Sequence, residues 1–185
     1  MFLMTNQRGI TLVELIATLA IVGMVGTLAY AVLFQGYANY ERVQAETKLR
    51  DEADLIMANF VRELFVLKSD ELEESPACMN GAPGSCVRVT KEDSGDSYFI
   101  GFQRGSASTD VAIARNEEIR FYNDDVILVP NRPADSIINN SISTEDGIRY
   151  TVKFVLSTEY RGEDRQMEFV NTINVISADE AGGGE

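Results

Sequence analysis

The chain contains no histidine and no tryptophan, and only two cysteines and four prolines among 185 residues. Without histidine, the usual general base near neutral pH and the commonest zinc ligand are both missing, and two cysteines do not close a four-ligand site. Basic residues are scarce as well: 16 Lys and Arg stand against 29 Asp and Glu, a formal net charge of −13. So acidic a chain repels phosphate backbones, which argues against a broad nucleic-acid surface and predicts no direct nucleic-acid partner. No nucleophile elbow, phosphate-binding loop or paired catalytic arrangement stands out, so no catalytic residue is assigned and a non-enzyme is expected. Glu92, Asp93 and Asp96, and separately Asp124 and Asp125, offer oxygen ligands without the pattern of a calcium loop, so neither metal nor cofactor is expected. The length leaves room for one ordinary domain and an appendage.

Charge is also missing from one stretch. Residues 1–34 carry only Arg8 and Glu14, and from Leu15 to Tyr40 there is no Asp, Glu, Lys or Arg. Leu15 to Phe34 is apolar except for Thr18, Thr27, Gly23 and Gly26. At about 1.5 Å per residue that stretch spans a hydrocarbon layer of roughly 30 Å, so it reads as a membrane helix. Three readings compete. A secretory signal peptide would use Ala29-Tyr30-Ala31 as its cut, but the apolar run is too long for one and is preceded by Glu14. A plain single-pass anchor explains the length and leaves Glu14 unexplained.

The third reading takes Arg8-Gly9-Ile10-Thr11-Leu12-Val13-Glu14-Leu15 as one unit. This unit resembles the processing motif of the type IV pilin and type II secretion pseudopilin family. The resemblance implies a leader of residues 1–9, cleavage by prepilin peptidase between Gly9 and Ile10, N-methylation of Ile10, and a role for Glu14 in assembly. Ile10 departs from the phenylalanine common at that place. A carboxylate near the bilayer core costs a few kcal/mol, so such groups are generally paired and functional. In the family, the ammonium freed by cleavage is thought to be that partner, which couples assembly to processing. The resemblance also implies other pilin or pseudopilin subunits, the peptidase and the membrane as partners. It implies a single-pass cytoplasmic membrane protein with an extracytoplasmic C-terminal domain, assembled into a filament. Gly23 and Gly26 are candidate points of close helix packing.

Beyond the apolar run, Leu49, Ala53, Ile56, Phe60, Leu64 and Leu67 recur at helical spacing, with Arg50, Asp51, Glu52, Asp54, Arg62 and Glu63 read onto other faces. No proline or glycine falls between Tyr37 and Glu74, which predicts one continuous helix of a membrane half, residues 10–35, and an amphipathic half, residues 36–74. Ser75-Pro76 is the expected stop, and Cys78 to Cys86 reads as a turn-rich loop. Given the extracytoplasmic body the resemblance implies, a Cys78–Cys86 disulfide is expected over free thiols or a metal pair. Strands are predicted at 87–90, 97–103, 118–122 and 126–129, the last two joined by a turn at Asn123-Asp124-Asp125. Ile148, Tyr150, Val152, Phe154 and Leu156 alternate with polar residues, and a returning strand is predicted over 166–177. The fold expected is α+β and pilin-like: a long N-terminal helix packed on one antiparallel sheet within a β-rich domain, 75–177, with a disordered tail at 178–185. The helix over Tyr40 to Leu64 looks most like that of minor pilins and J-type minor pseudopilins.

Overall fold

A computed structural model of the chain describes residues 11–91, 95–105, 110–130 and 140–177. The architecture is α+β: one long helix followed by antiparallel sheets, a pilin-like arrangement. Helix α1 spans Leu12–Leu64. The chain divides into two compact units, Met1–Val43 and Gln44–Glu185, and α1 contributes to both.

In the first unit, the described residues are helical from Leu12 onward, and the large apolar side chains of the run are exposed. No proline interrupts the run and no charged side chain lies in it after Glu14. The polar side chains it does contain are satisfied inside the helix. Thr18 and Thr27 donate their hydroxyls to the carbonyls of Leu15 and Met24, each at 2.9 Å, so neither needs water.

In the second unit, α1 turns amphipathic and buries Leu49, Ala53, Ile56, Phe60 and Leu64. The first sheet is a meander of consecutive antiparallel strands: β1 (Leu72–Ala77), β2 (Pro83–Thr90), β3 (Ser97–Arg104), β4 (Asp110–Ala114) and β5 (Glu117–Glu118). In the second sheet, β8 (Arg149–Tyr160) is central. β9 (Glu163–Asn174) lines one side of β8 over its whole length, and β6 (Val126–Leu128) and β7 (Ser141–Thr144) share the other. The β8–β9 hairpin closes through Arg161 and Gly162, whose positive φ values of 54° and 81° are those a tight two-residue turn requires. The sheets adjoin where the Ser85 hydroxyl of β2 donates to the Ile142 carbonyl at 3.1 Å and accepts from the Ile142 N–H at 2.9 Å.

The core forms where these layers meet. A relay of rings joins Phe60 of α1 to Phe102 of β3 (5.4 Å between centroids), Phe102 to Phe154 of β8 (5.6 Å) and Phe154 to Phe169 of β9 (5.5 Å). Edge-to-face and offset geometries of this kind add about 0.5–1.5 kcal/mol per pair to the area they bury. Cys78, Cys86 and Ile113 form a second, smaller cluster under Phe99 and Val111. Gly101 lies opposite Cys86 in the β2–β3 pairing with φ 146°. A Cβ there would run into the Ser85 carbonyl and stand 2.8 Å from Cys86 Cα, so only glycine allows the strands to approach this closely.

The structure corrects several expectations. The helix ends at Leu64 and not near residue 74, and Leu72–Ala77 is a strand despite Pro76. The turn after Leu64 is held from elsewhere: the Lys68 N–H donates to the Glu71 carboxylate at 3.0 Å and the Ser69 N–H to the Ile176 carbonyl at 2.9 Å. The described residues form two sheets, not one. The expected strand over 118–122 shrinks to β5, because the chain after it turns toward α1. Strands β1, β4 and β7 fall outside the strands predicted from sequence. The tail at 178–185 and the acids Glu92 and Asp93 lie outside the described residues.

Candidate functional site

The first candidate is the start of α1. Thr11 is its N-cap: the hydroxyl accepts from the Glu14 N–H at 3.3 Å, and the Thr11 carbonyl accepts from the Leu15 N–H at 3.1 Å. Thr11-Leu12-Val13-Glu14 has the spacing of a capping box, and Glu14 is the acid in the first turn, where the partial positive charge of a helix N-terminus favours a carboxylate. No described residue offers the Glu14 carboxylate an ion-pair partner. The helix continues into a window of mean hydropathy 2.1 with none of its residues buried, long enough to cross a membrane. A lone anionic group at the head of such a segment calls for a cation supplied from outside the described residues. Gly9 and Ile10, the expected cleavage and methylation positions, precede the described residues, so the structure brings neither to Glu14.

The second candidate is the polar seam between α1 and the loops of the second unit. Glu52, fully buried, accepts from the N–H groups of Tyr122 (3.1 Å) and Asn123 (2.7 Å) and from the Asn123 side-chain amide (2.6 Å). Glu63, 6 % exposed, is bracketed by Arg115 at 2.9 Å and Arg62 at 3.2 Å. The expected placement of both glutamates on the polar side of the helix is thereby corrected. The signal is present in the sequence: Glu52 is three residues after Leu49 and four before Ile56, and Glu63 is three after Phe60, so both fall on the buried stripe. Asn140, also buried, donates to Asp110 Oδ2 (3.0 Å) and the Val129 carbonyl (2.7 Å) and accepts from the Val155 N–H (3.0 Å), tying β4 to β8. No periodicity marks such an asparagine.

Charges at this seam are structural. The Lys48 ammonium, 2.8 Å away, holds the Asp125 carboxyl below its ordinary value, with help from the Thr158 hydroxyl at 3.1 Å. Asp125 is therefore engaged by a cation and a hydroxyl of its own chain. Burial pushes the Tyr98 phenol up, against a hydrogen bond with Arg115, and burial pushes Tyr150 up as well. The Asp146 carboxyl is held down by the Arg149 and Ile148 N–H groups that cap its turn. Among the described residues, no three Cys, Asp or Glu converge as a metal would need. An open cavity of about 400 Å³ lies between β4 and β6, lined by Ala112, Ile119, Arg120, Phe121, Val126 and Leu128. Its charged neighbours point to no single ligand chemistry.

Cys78 and Cys86 are joined by a disulfide, with 5.5 Å between their Cα atoms. Cys86 lies inside β2 and not in a loop. The bond fastens the bend between β1 and β2 to the first sheet.

An N-capped apolar helix long enough to cross a membrane, with one acid in its first turn and a sheet-rich unit after it, is a pilin-like α+β architecture. Comparison adds a short segment: residues 4–30 match the prokaryotic N-terminal methylation motif. No curated protein and no solved structure matches the chain. The matched segment holds Gly9, Ile10 and Glu14 together. It supports a type IV pilin-like chain, with a motif of the kind prepilin peptidase processes. Chains bearing this motif are typically structural.

Proposed function

We propose that the chain is a subunit of a type IV pilus, competence pilus or type II secretion pseudopilus, and within that class a minor pilin or pseudopilin acting in assembly initiation or at the filament tip. One observation carries the reading. Glu14 lies inside the matched segment, in the first capped turn of a helix whose next residues are apolar and exposed, with no described partner. Prepilin peptidase hydrolyses the Gly9–Ile10 amide, leaving a carboxylate on Gly9 and an amine on Ile10, which is then N-methylated. That amine is protonated at neutral pH and stays cationic after methylation. It meets the Glu14 carboxylate of its own chain or of a neighbour, and the pair makes the acid tolerable in lipid. Neighbouring subunits then pack through the apolar half of α1. The minor role draws its support from the helix over Tyr40 to Leu64, which enters a sheet-rich unit as in minor subunits; a major subunit is the structural alternative.

A single-pass anchor for an extracytoplasmic binding or sensor domain explains the membrane-length helix alone. It keeps Met1, whereas the processed subunit begins at Ile10. Intact-mass spectrometry of the protein from cells with and without the peptidase is expected to show loss of residues 1–9 and one added methyl only when the peptidase is present. An uncut N-terminus in both would reject the subunit reading.

A further inference from the structure

Both borders of the first sheet are closed. β1 carries Pro76, a register shift between Ser75 and Ala77, and the exposed acids Glu73 and Glu74, while β5 is only the pair Glu117-Glu118. Prolines, irregular register, charge and shortness are the devices that stop a foreign strand from pairing. β9 has an unbroken register with β8 from Glu163 to Asn174, and it contains no proline. Glu163 faces Tyr160 across a two-residue turn, so the odd-numbered residues of β9 exchange hydrogen bonds with β8 and the even-numbered ones aim theirs outward. Asp164, Gln166, Glu168, Val170, Thr172 and Asn174 thus present N–H and C=O groups to the open side. No described strand pairs with them. The Thr172 N–H is met by the neighbouring Asn171 side chain at 2.8 Å, as an outward donor without a strand would be.

Helix α1 supplies a shelf along this border. Arg165 Nη2 meets Glu46 Oε1 at 2.8 Å near the start of β9, and Ile176 exchanges backbone bonds with Leu67 and Ser69 just past its end. The strand is therefore tied to the second-unit part of α1 near its start and to the turn just past α1 near its end. Met57, Val61 and Phe65 recur every four residues on the Glu46 side of the buried stripe, opposite Lys48, Glu52 and Glu63. They are 9 %, 39 % and 62 % exposed in turn. Met167 and Phe169, on the core face of β9, are half-buried and pack against the core cluster that includes Met57.

We propose that the outer border of β9 and this helical shelf take an extended segment of a partner protein as an added strand. The segment alternates apolar side chains, laid over Met57, Val61 and Phe65, with basic ones, one of them set against Asp164; Glu168 is already met by Lys153 of β8 at 2.7 Å. Alternation in the added strand matches alternation in β9: Met167 and Phe169 lie on one face, Asp164 and Glu168 on the other. Charge selects the occupant. β9 carries three acids and one base; the base is committed to Glu46 and Glu168 is paired with Lys153 of β8, which leaves Glu163 and Asp164 as the excess acids at the head of the border. A second copy would bring the same acid-rich border, from a chain of net charge −13, against its like. The inference does not rest on processing at Gly9.

The test uses the full chain in a non-ionic detergent and a fluorescein-labelled ten-residue peptide alternating valine and lysine. Binding is expected by fluorescence anisotropy, with at least tenfold weaker binding of a valine–glutamate peptide and of a scrambled valine–lysine peptide. Residue-resolved amide exchange at Gln166, Glu168 and Val170 is expected to slow at least tenfold in the complex. Val170→Pro removes an outward N–H that β8 does not use, so its melting temperature is expected to stay near that of the parent while peptide affinity falls at least tenfold. Should that variant fail to fold, Phe65→Ser on the shelf serves instead, with a loss of at least threefold. Equal binding by parent and variants, equal binding of the glutamate or scrambled peptide, or unchanged amide exchange would overturn the proposal. So would concentration-dependent dimerisation of the peptide-free chain that Val170→Pro abolishes, since that would assign the border to a second copy.

Discussion

Glu14, in the first-unit part of α1, and Glu52, in the second-unit part, both stand where a glutamate is costly, and the two are treated differently. Glu52 is fully buried and receives three hydrogen bonds from its own chain, two from backbone N–H groups and one from an amide. Glu14 stands at the head of an apolar, exposed run and receives nothing from any described side chain. Satisfied within the fold, Glu52 is a fastening whose removal affects stability. Glu14 has no partner among the described residues, so under the proposed reading its removal affects whatever is brought to it. The same residue type on the same helix then serves folding in one place and encounter in the other.

The sharpest way to break this comparison is to substitute both. Glu14→Ala is expected to abolish incorporation into sheared filaments, measured by immunoblot, while shifting the melting temperature of the sheet-rich unit by no more than about a degree. Glu52→Ala leaves the donors of Tyr122 and Asn123 without their acceptor and empties a buried place on α1, and is expected to cost about 2 kcal/mol in denaturant unfolding, with cleavage at Gly9 intact. If the two variants showed the same profile, the distinction would be wrong.

The next effect in size concerns the bend between β1 and β2. The Cys78–Cys86 bond closes a short loop, for which chain-entropy reasoning gives about 2.5 kcal/mol. A Cys78→Ser/Cys86→Ser variant is expected to lose that much stability in urea melts, with assembly through the apolar half retained at permissive temperature.

The smallest effect is electrostatic and confined to the second unit. With Asp125 held below its ordinary value near 3.8, its contribution is fully present above about pH 4 and is lost as pH falls through the depressed folded value. The pair is 35 % and 45 % exposed, so solvent screening limits it to less than about 1 kcal/mol. Lys48→Met is expected to remove that part of the acid limb in melts between pH 2 and 5. At the other end, the raised Tyr150 phenol withholds ionisation in the fold. Stability is then complete below about pH 10 and falls as pH rises toward the folded value, and Tyr150→Phe should flatten that limb.

What the sequence makes legible tracks the range of the forces involved. The helical spacing of Leu49, Ala53, Ile56, Phe60 and Leu64 and the alternation of β8 are local patterns, and the structure buries the residues they mark. The end of α1 is not local. It is fixed by the pairing of Ser69 and Leu67 with Ile176, more than a hundred positions away, so the nearest proline is a misleading stop. Strand β1 escapes sequence reading because Pro76 looks like a breaker, although a border strand tolerates proline. Strand β4 escapes it because Ala112 and Ala114 are poor strand formers until a neighbour covers them. At the candidate site, Glu14 is legible because a charge in an apolar run is conspicuous. Glu52 is not, because a charge in an amphipathic helix is ordinary.

Thr18 and Thr27 spend their hydroxyl protons on carbonyls of their own turns. Neither threonine therefore has a proton to offer a neighbour; the phenol of Tyr30, a residue 70 % exposed, does. Under the proposed reading, a helix laid against this half meets contour above all, notched at Gly23 and Gly26, with one phenol and the carboxylate of Glu14 as polar marks. So few marks on so long a flank would govern axial offset more than the identity of the neighbour.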